Sequence, residues 1–231
     1  MIGSEMWSLL KKEKRAVLTE VEAKTILREA GIPVAQAKIA RRKKEAFSLS
    51  REIGFPVALK IVSSDIIHKS DAGGVRLGLR NYAQVGKAYT EIINSVRGTF
   101  PQAKIEGISV QGMAPPGVEV IIGMTKDPQF GPLLMFGLGG VLVEILKDVS
   151  FRIAPVSRRD AREMIREIKG YPLLEGYRGR DPVDLAFLEE LIMKVSDFVE
   201  TYPQIRELDL NPILAYSKGA LAVDARILLE P

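Results

Sequence analysis

Apolar positions at helical spacing follow Thr19: Ile26, Leu27 and Ala30 share one face, and Gly31 and Pro33 stop the helix. Thr19 and Glu22 have the spacing of a capping box at its start. A short strand is expected over 35–40 and a helix over 44–53, with Gly54 as its stop. The unbroken apolar run VALKIV, 57–62, reads as a buried strand, and VRLGLR as another. Asn81 is placed to cap a long helix from Tyr82 to Arg97. Strand patterns return in KIEGISVQGM, VEVIIGMTKD, PLLMFGLGG and SFRIAPV, with Pro115-Pro116-Gly117 as a turn or hinge between the first two. Ser157 caps a helix running to Lys169, 170–182 reads as loop, and a helix is expected over 184–202. Two strands, IRELDLNPILAY and ALAVDARILL, end the pattern, joined at Ser217-Lys218-Gly219. Helices and strands interleave without strict βαβ alternation, which predicts α+β lobes rather than a doubly wound parallel sheet.

Composition narrows the chemistry. With 46% hydrophobic and 27% charged residues over 231 positions, the chain can bury a core without staples. There is no cysteine, which removes disulfides, thiolate catalysis and cysteine zinc sites. One histidine argues against zinc or a facial iron triad. The net charge of +4 is mild, and the basic runs near Lys11 and Arg41 read as solvated helix faces. Aromatic residues are 6%, with no recognition module, so no nucleic-acid partner is expected. The N-terminal segment lacks the order of a signal peptide. The longest uncharged run, Phe130 to Val143, falls short of the roughly 18 residues that a membrane span needs. No membrane partner and a cytoplasmic location are the expectation.

Four features remain. Strand alternation puts Glu207, Asp209 and Asn211 on one face. If the turn centres on Lys218-Gly219, Ser217 pairs with Ala220, Asn211 faces Arg226 and Asp224 faces Ile213. Asn211 and Asp224 are then diagonal neighbours, either a pair of oxygen ligands for Mg²⁺ or a solvated strand face with an Asn-Pro turn. Lys60 sits in an apolar strand, as a phosphate clamp or as a lysine snorkelling to water. Gly73-Gly74 is either a plain turn or a place where backbone amides approach a phosphate. His68, in the polar stretch SSDIIHKSDAGGVRLGL, is a structural histidine, a general base without an obvious partner, or a nucleophile toward phosphorus.

Taken together, FPVALKIVSSDIIHKSDAGGVRLGL, GVEVIIGMTKDPQFGPLLMFGLGGVLVEILKDVSFRIAPV and ELDLNPIL resemble the β, nucleotide-binding subunits of the ADP-forming acetyl-CoA synthetases, in the ATP-grasp superfamily. The resemblance covers nearly the whole chain. It implies an ATP-grasp fold, α+β, over residues 1–231, with two lobes clasping a nucleotide. The lobes are expected near 30–110, with Lys60 and the His68 loop, and 111–231, with the Mg²⁺ site; a helix over 19–30 packs on them. It implies that Lys60 meets the nucleotide phosphates, that Gly73, Gly74 and Val75 form the glycine-rich loop over them, and that Gln111, Gly112 and Met113 form the hinge whose backbone meets adenine. Glu119 matches the acidic residue on the nucleotide side. Asn211 and Asp224 match the Mg²⁺ ligands, with Asp209 as an outer-sphere partner and Arg152 as a phosphate contact. His68 matches a histidine that carries a phosphoryl group to ADP. The implied partner is an α subunit with the CoA-binding and acyl-CoA chemistry, in an α₂β₂ assembly, and ATP or ADP is the substrate. Two alternatives stand beside this: the same subunit acting with another acid, and a non-catalytic ATP-grasp module.

Overall fold

A computed structural model describes residues 7–8, 10, 12–13, 15–66, 69–140, 147–179 and 181–230. The chain divides into two compact units, one of residues 18–24 with 35–115, the other of 1–17, 25–34 and 116–231.

The smaller unit holds the first half of helix α1 (Glu20–Glu29), then β1 (Ala37–Ala40), α2 (Lys43–Ile53), β2 (Val57–Val62), β3 (Val75–Leu79), α3 (Tyr82–Thr99) and β4 (Gly107–Gly112). The capping box at Thr19 forms: its N–H donates to Glu22 Oε2 at 2.8 Å, and the Glu22 N–H reaches Thr19 Oγ1 at 3.4 Å. The strands make an antiparallel sheet in the order β1-β4-β2-β3. Val57, Leu59 and Ile61 of β2 share a core with Ile108 and Val110 of β4 and with Val85, Ala88, Ile92 and Val96 of α3. Each buried valine, leucine or isoleucine among them contributes about 1.5–3 kcal/mol by leaving water. The two-residue period then sends Ala58, Lys60 and Val62 to the other face. That face carries the buried polar side chains Lys60, Ser109 and Gln111 beside Ala58 and Val62.

The larger unit contains β5 (Val118–Asp127), β6 (Gly131–Leu138), β7 (Val149–Ile153), α4 (Arg158–Glu167), the single turn α5 (Tyr171–Leu174), α6 (Leu185–Thr201), β8 (Ile205–Ala215), β9 (Ala220–Ala222) and β10 (Arg226–Leu229). Its antiparallel sheet runs β10-β8-β5-β6-β7, with β9 beside β8. Register separates the two faces. Leu208, Met124, Leu134 and Arg152 stand in one row, on the side that α4 and α6 cover. Asp209, Gly123, Met135 and Phe151 stand in the row beside it, on the opposite side. Asn211 and Pro212 together oppose Ile121 alone, a β-bulge at a residue that has no N–H to give a ladder.

Three details differ from the pattern reading. The stretch 170–182 contains the short helix α5. The last predicted strand is broken at 223–225 into β9 and β10. The hairpin register is also displaced by two residues: Ala220 pairs with Ala215, not Ser217, and Arg226 opposes Asp209, not Asn211. The cause is a wider turn. The Tyr216 N–H donates to the Gly219 carbonyl, Gly219 takes a positive φ of 73°, and its N–H donates to the Asp184 carboxylate at 3.1 Å. A contact from a distant helix cap therefore sets the turn. Among the described residues, no helix is long and apolar enough to cross a membrane.

Candidate functional site

In the smaller unit, the polar face of the sheet is organised by one carboxylate. Glu20 lies in the first turn of α1, and its side chain is 1% exposed. Its Oε1 accepts from the ammonium of Lys60 at 2.8 Å and of Lys24 at 2.6 Å, and its Oε2 accepts from Lys69 at 2.9 Å. Lys24 also donates to Gln111 Oε1 at 2.6 Å. The capping box aims the first turn of α1 at the sheet, and the i,i+4 spacing brings Glu20 and Lys24 to one side of the helix. Burial alone would raise the Glu20 carboxyl; Lys60, Lys24 and Lys69 outweigh it and hold the group well below the usual carboxylate range. Three ammonium groups converge on one buried carboxylate, a concentration of cationic side chains that can face an anion. Lys60 is thus a buried, paired lysine and not a snorkelling one. Glu20, Lys24 and Lys69 carry no functional signature in the sequence; only Lys69, adjacent to His68, has a position that draws notice.

The glycine pair has a steric role in this arrangement. The Gly73 N–H donates to Ser70 O at 2.9 Å and the Gly74 N–H to Lys69 O at 2.7 Å, so both amides close the turn that starts at Lys69. A Cβ on Gly73 would stand 2.4 Å from Ser95 Oγ, and one on Gly74 would stand 2.6 Å from Ile61 Cγ2. Val75 follows on β3, opposite Lys60. His68 lies outside the described residues.

Gln111 and Gly112 are strand residues. Gln111 is paired on both sides, to Ala37 and Ala58, and Gly112 pairs with Val57. The Met113 N–H donates to Pro56 O at 3.0 Å. The division between the units falls after Pro115, so the connection begins beyond the hinge expected at 111–113. The ladder has already taken the backbone groups of Gln111.

In the larger unit, the pairs Ile213–Ala222 and Arg226–Asp209 belong to one register, which sets Asn211 directly opposite Asp224. The expected diagonal becomes a facing pair, with Asp209 one pleat away on the same face. Burial pushes the Asp209 carboxyl up; Arg226 opposes this, and Asp224 and Glu207 add to it. An amide oxygen and two carboxylates are the oxygen donors that suit a hard divalent cation, which keeps water or phosphate in the rest of its shell. Among the described residues, no three acidic or histidine side chains form a group that could hold a metal ion. The buried Nε–H of Arg226, a donor that an anion on this face would satisfy, has no hydrogen-bond acceptor among the described residues.

Glu119 stands on β5 beside Gly139, whose N–H it receives at 2.8 Å through its carbonyl. A Cβ on Gly140 would meet Glu119 Oε2 at 2.9 Å. Arg152 lies elsewhere. It is on the helix-covered face, where its Nη1 donates to Glu167 Oε2 at 2.9 Å and its Nη2 pairs with Glu167 Oε1 and, at 3.6 Å, with Glu163. These contacts hold its guanidinium above its ordinary pKa, chiefly through the Glu167 hydrogen bond. Strand alternation therefore separates Arg152 from Asp209, Asn211 and Asp224, and its structural role is to fasten α4 to β7.

Comparison with known proteins places the chain in a family. Residues 9–229 match the ATP-grasp domain. The "Acetate--CoA ligase [ADP-forming] I subunit beta" of Pyrococcus furiosus is 52% identical over 218 residues, 94% of either chain. The "Acetate--CoA ligase [ADP-forming] I" of Archaeoglobus fulgidus is 48% identical over 90% of this chain, which spans only 30% of that protein. Among solved structures, the acetyl-coenzyme A synthetase 1 of Ca. Korarchaeum cryptofilum with coenzyme A and Ca-AMPCP superposes with a TM-score of 0.95 at 51% identity, covering 98% of this chain and 99% of that one. The same enzyme with Mg-AMPPCP, its "phosphohistidine segment pointing towards nucleotide binding site", gives a TM-score of 0.84 at 48% identity, again over 98% and 99%. The chain therefore belongs to the ATP-grasp family, among the β subunits of the ADP-forming acetate–CoA ligases.

Proposed function

We propose that the chain is the nucleotide-binding subunit of an ADP-forming acetyl-CoA synthetase and that His68 carries the phosphoryl group. The overall reaction is acetyl-CoA + ADP + phosphate giving acetate + CoA + ATP, reversibly. In the direction of ATP use, an imidazole nitrogen of His68 bonds to the γ-phosphorus as the bond to the β-phosphate oxygen breaks. ADP leaves and the imidazole gives up its proton. The observation that carries this reading is the convergence of Lys60, Lys24 and Lys69 on the buried Glu20 carboxylate, with Lys60 on the strand that precedes His68 in the sequence. Lys60 offers its ammonium to the nucleotide phosphates, and burial strengthens that contact. The smaller unit supplies Lys60, and the larger unit supplies Asn211 and Asp224. Asn211 and Asp224 would hold Mg²⁺, with Asp209 as the partner that orders its water. Mg²⁺ bound there supplies neutralisation of charge on the phosphate oxygens. Glu119 serves the nucleotide side.

The partner is an α subunit with CoA-binding and acyl-CoA ligase domains, in an α₂β₂ assembly. Support comes from the Archaeoglobus relative, of which this chain matches only a part, and from the Pyrococcus relative, named as a subunit. A cytoplasmic location fits the nucleotide substrate.

The test is phosphorylation by γ-labelled ATP with Mg²⁺, of wild type and His68→Ala, in the chain alone and with its α subunit. Acid-labile, base-stable label that disappears in His68→Ala is the expected result. Label retained in His68→Ala would move the phosphoryl carrier elsewhere. No label with or without the α subunit would favour a non-catalytic nucleotide-binding module.

A further inference from the structure

Arg152 and Arg226 lie on opposite faces of the larger sheet, and they differ in what they hold. Arg152 is saturated: Glu167 accepts from both Nη1 and Nη2, and Glu163 lies 3.6 Å from Nη2. Arg226 opens β10 and stands directly opposite Asp209, so strand pairing puts it on the open face. The Arg226–Asp209 and Asp224–Asn211 pairs follow one another on that face, about 7 Å apart along the strands. The guanidinium of Arg226 is loosely held. Its Nη2 is 3.8 Å from Glu207 Oε2, too far for a hydrogen bond, and Glu207 has a nearer cation in Arg206, at 3.2 Å. Its buried Nε–H meets no acceptor among the described residues. The side chain as a whole is 36% exposed, so part of the fork is open to solvent.

We propose that Arg226 is a specificity-determining residue, whose guanidinium binds the phosphate chain of the nucleotide on the face that carries Asn211 and Asp224. This rests on the reading of that face as the Mg²⁺-nucleotide side of the larger unit, and it names the side chain that reads the phosphates there. Glu207, Asp209 and Asp224 would repel a polyanion, and Arg226 is the cation that the register sets beside them. A planar fork with idle N–H groups matches two phosphate oxygens, and such charge-assisted contacts are the strong ones. The long ion pair to Glu207 is little to give up, because partly exposed pairs are weak. The buried N–H without an acceptor adds to the preference, since a phosphate oxygen supplies what the free protein lacks. Arg152, expected as a phosphate contact, points to the other face and has no idle donor pair to offer. A residue that reads the phosphate chain weighs a nucleoside diphosphate more than a monophosphate.

The experiment uses the full chain with its α subunit, comparing wild type, Arg226→Met, Arg226→Lys and Glu207→Gln. Calorimetric titration gives the affinities for ADP and for AMP, each with Mg²⁺, and a melting curve gives the unfolding midpoint. Arg226→Met should weaken ADP binding about tenfold or more, the range for hydrogen bonds to charged groups. It should affect AMP far less and leave the midpoint near that of wild type. Arg226→Lys should lose less than Arg226→Met, since it keeps the charge and gives up only the fork. Glu207→Gln should bind ADP at least as tightly as wild type, because it removes a competitor for the guanidinium. Wild-type ADP affinity in Arg226→Met would overturn the proposal. So would an equal loss for AMP and ADP, or a loss in Arg226→Lys as large as in Arg226→Met. The same loss in Glu207→Gln would overturn it too, by making Arg226 a structural partner of that carboxylate. A wild-type complex that binds ADP no more tightly than AMP would overturn the reading beneath it, and that failure shows in wild type rather than in the variants.

Discussion

At the scale of single residues, the energetics of Glu20 and Lys60 are asymmetric. Removing the carboxylate leaves three ammonium groups around a neutral amide, so Glu20→Gln is expected to cost about 3–5 kcal/mol, the range for breaking a buried ion pair. Lys60→Met should be far gentler on the fold, because Glu20 keeps Lys24 and Lys69 and the methionine fills the same buried volume. Its effect should fall on turnover instead, by about 10²-fold or more, as expected for a group that stabilises developing phosphate charge. Denaturant unfolding and steady-state rates on both variants check this; equal loss of stability in the two would show that Lys60 is structural. The depressed Glu20 pKa also has a pH consequence. The folded value lies below the ordinary 4.5, so its stabilisation is complete above that pH and is lost as the pH falls toward the folded value. The stability gap between wild type and Glu20→Gln should therefore be constant from pH 7 to 5 and shrink below about 4.5. A gap as large at pH 3 as at pH 7 would contradict the assignment.

At the scale of elements, strand and turn chemistry places the groups. The bulge at Asn211-Pro212 lets β8 keep Leu208 and Leu210, and then Ile213 and Ala215, buried on either side of it, while Asn211 stays on the open face opposite Asp224. The turn from Lys69 to Gly74 leaves no room for a side chain on its last glycine. Gly74→Ala would put a Cβ 2.6 Å from Ile61 Cγ2 and 2.9 Å from Lys69 O, with overpacking that typically costs about 1–3 kcal/mol. Because the strain falls on Lys69, a partner of Glu20, labelling should fall along with stability. Ser157→Ala is the control element: it removes a capping box from α4, costs about 1 kcal/mol, and should leave activity unchanged. Parallel melting curves and labelling rates distinguish the two.

For the whole molecule, ligand linkage is the accessible readout. Mg²⁺-ADP at about a hundred times its Kd should raise folding stability by about 2.7 kcal/mol. If Asn211 and Asp224 hold the cation, Asn211→Ala with Asp224→Ala should lose the Mg²⁺-dependent part of that gain while the apo midpoint stays near wild type. An undiminished Mg²⁺ dependence in the double variant would remove the metal assignment. Arg152→Ala should behave oppositely, loosening α4 from β7 without touching nucleotide linkage, since its guanidinium is spent on Glu167 and Glu163.

Local rules suffice wherever local physics decides. The capping boxes at Thr19 and Ser157, the buried strand 57–62, the α3 cap at Asn81 and the α+β class all follow from periodicity and side-chain chemistry within a few residues. The sequence motifs also carry the kinship of the chain to its family. Tertiary structure decided what depends on distant partners. The register of the last hairpin shifted because Asp184 ties down Gly219. Arg152 was set apart from the metal face by alternation along β7, read only once its register with β6 is known. Glu20, Lys24 and Lys69 became one cluster with Lys60 only because α1 packs on the polar face of a sheet formed 35 to 90 residues later. A charged residue in a helix looks the same in sequence whether water or three lysines surround it. Burial makes the difference, and burial is a property of the folded chain.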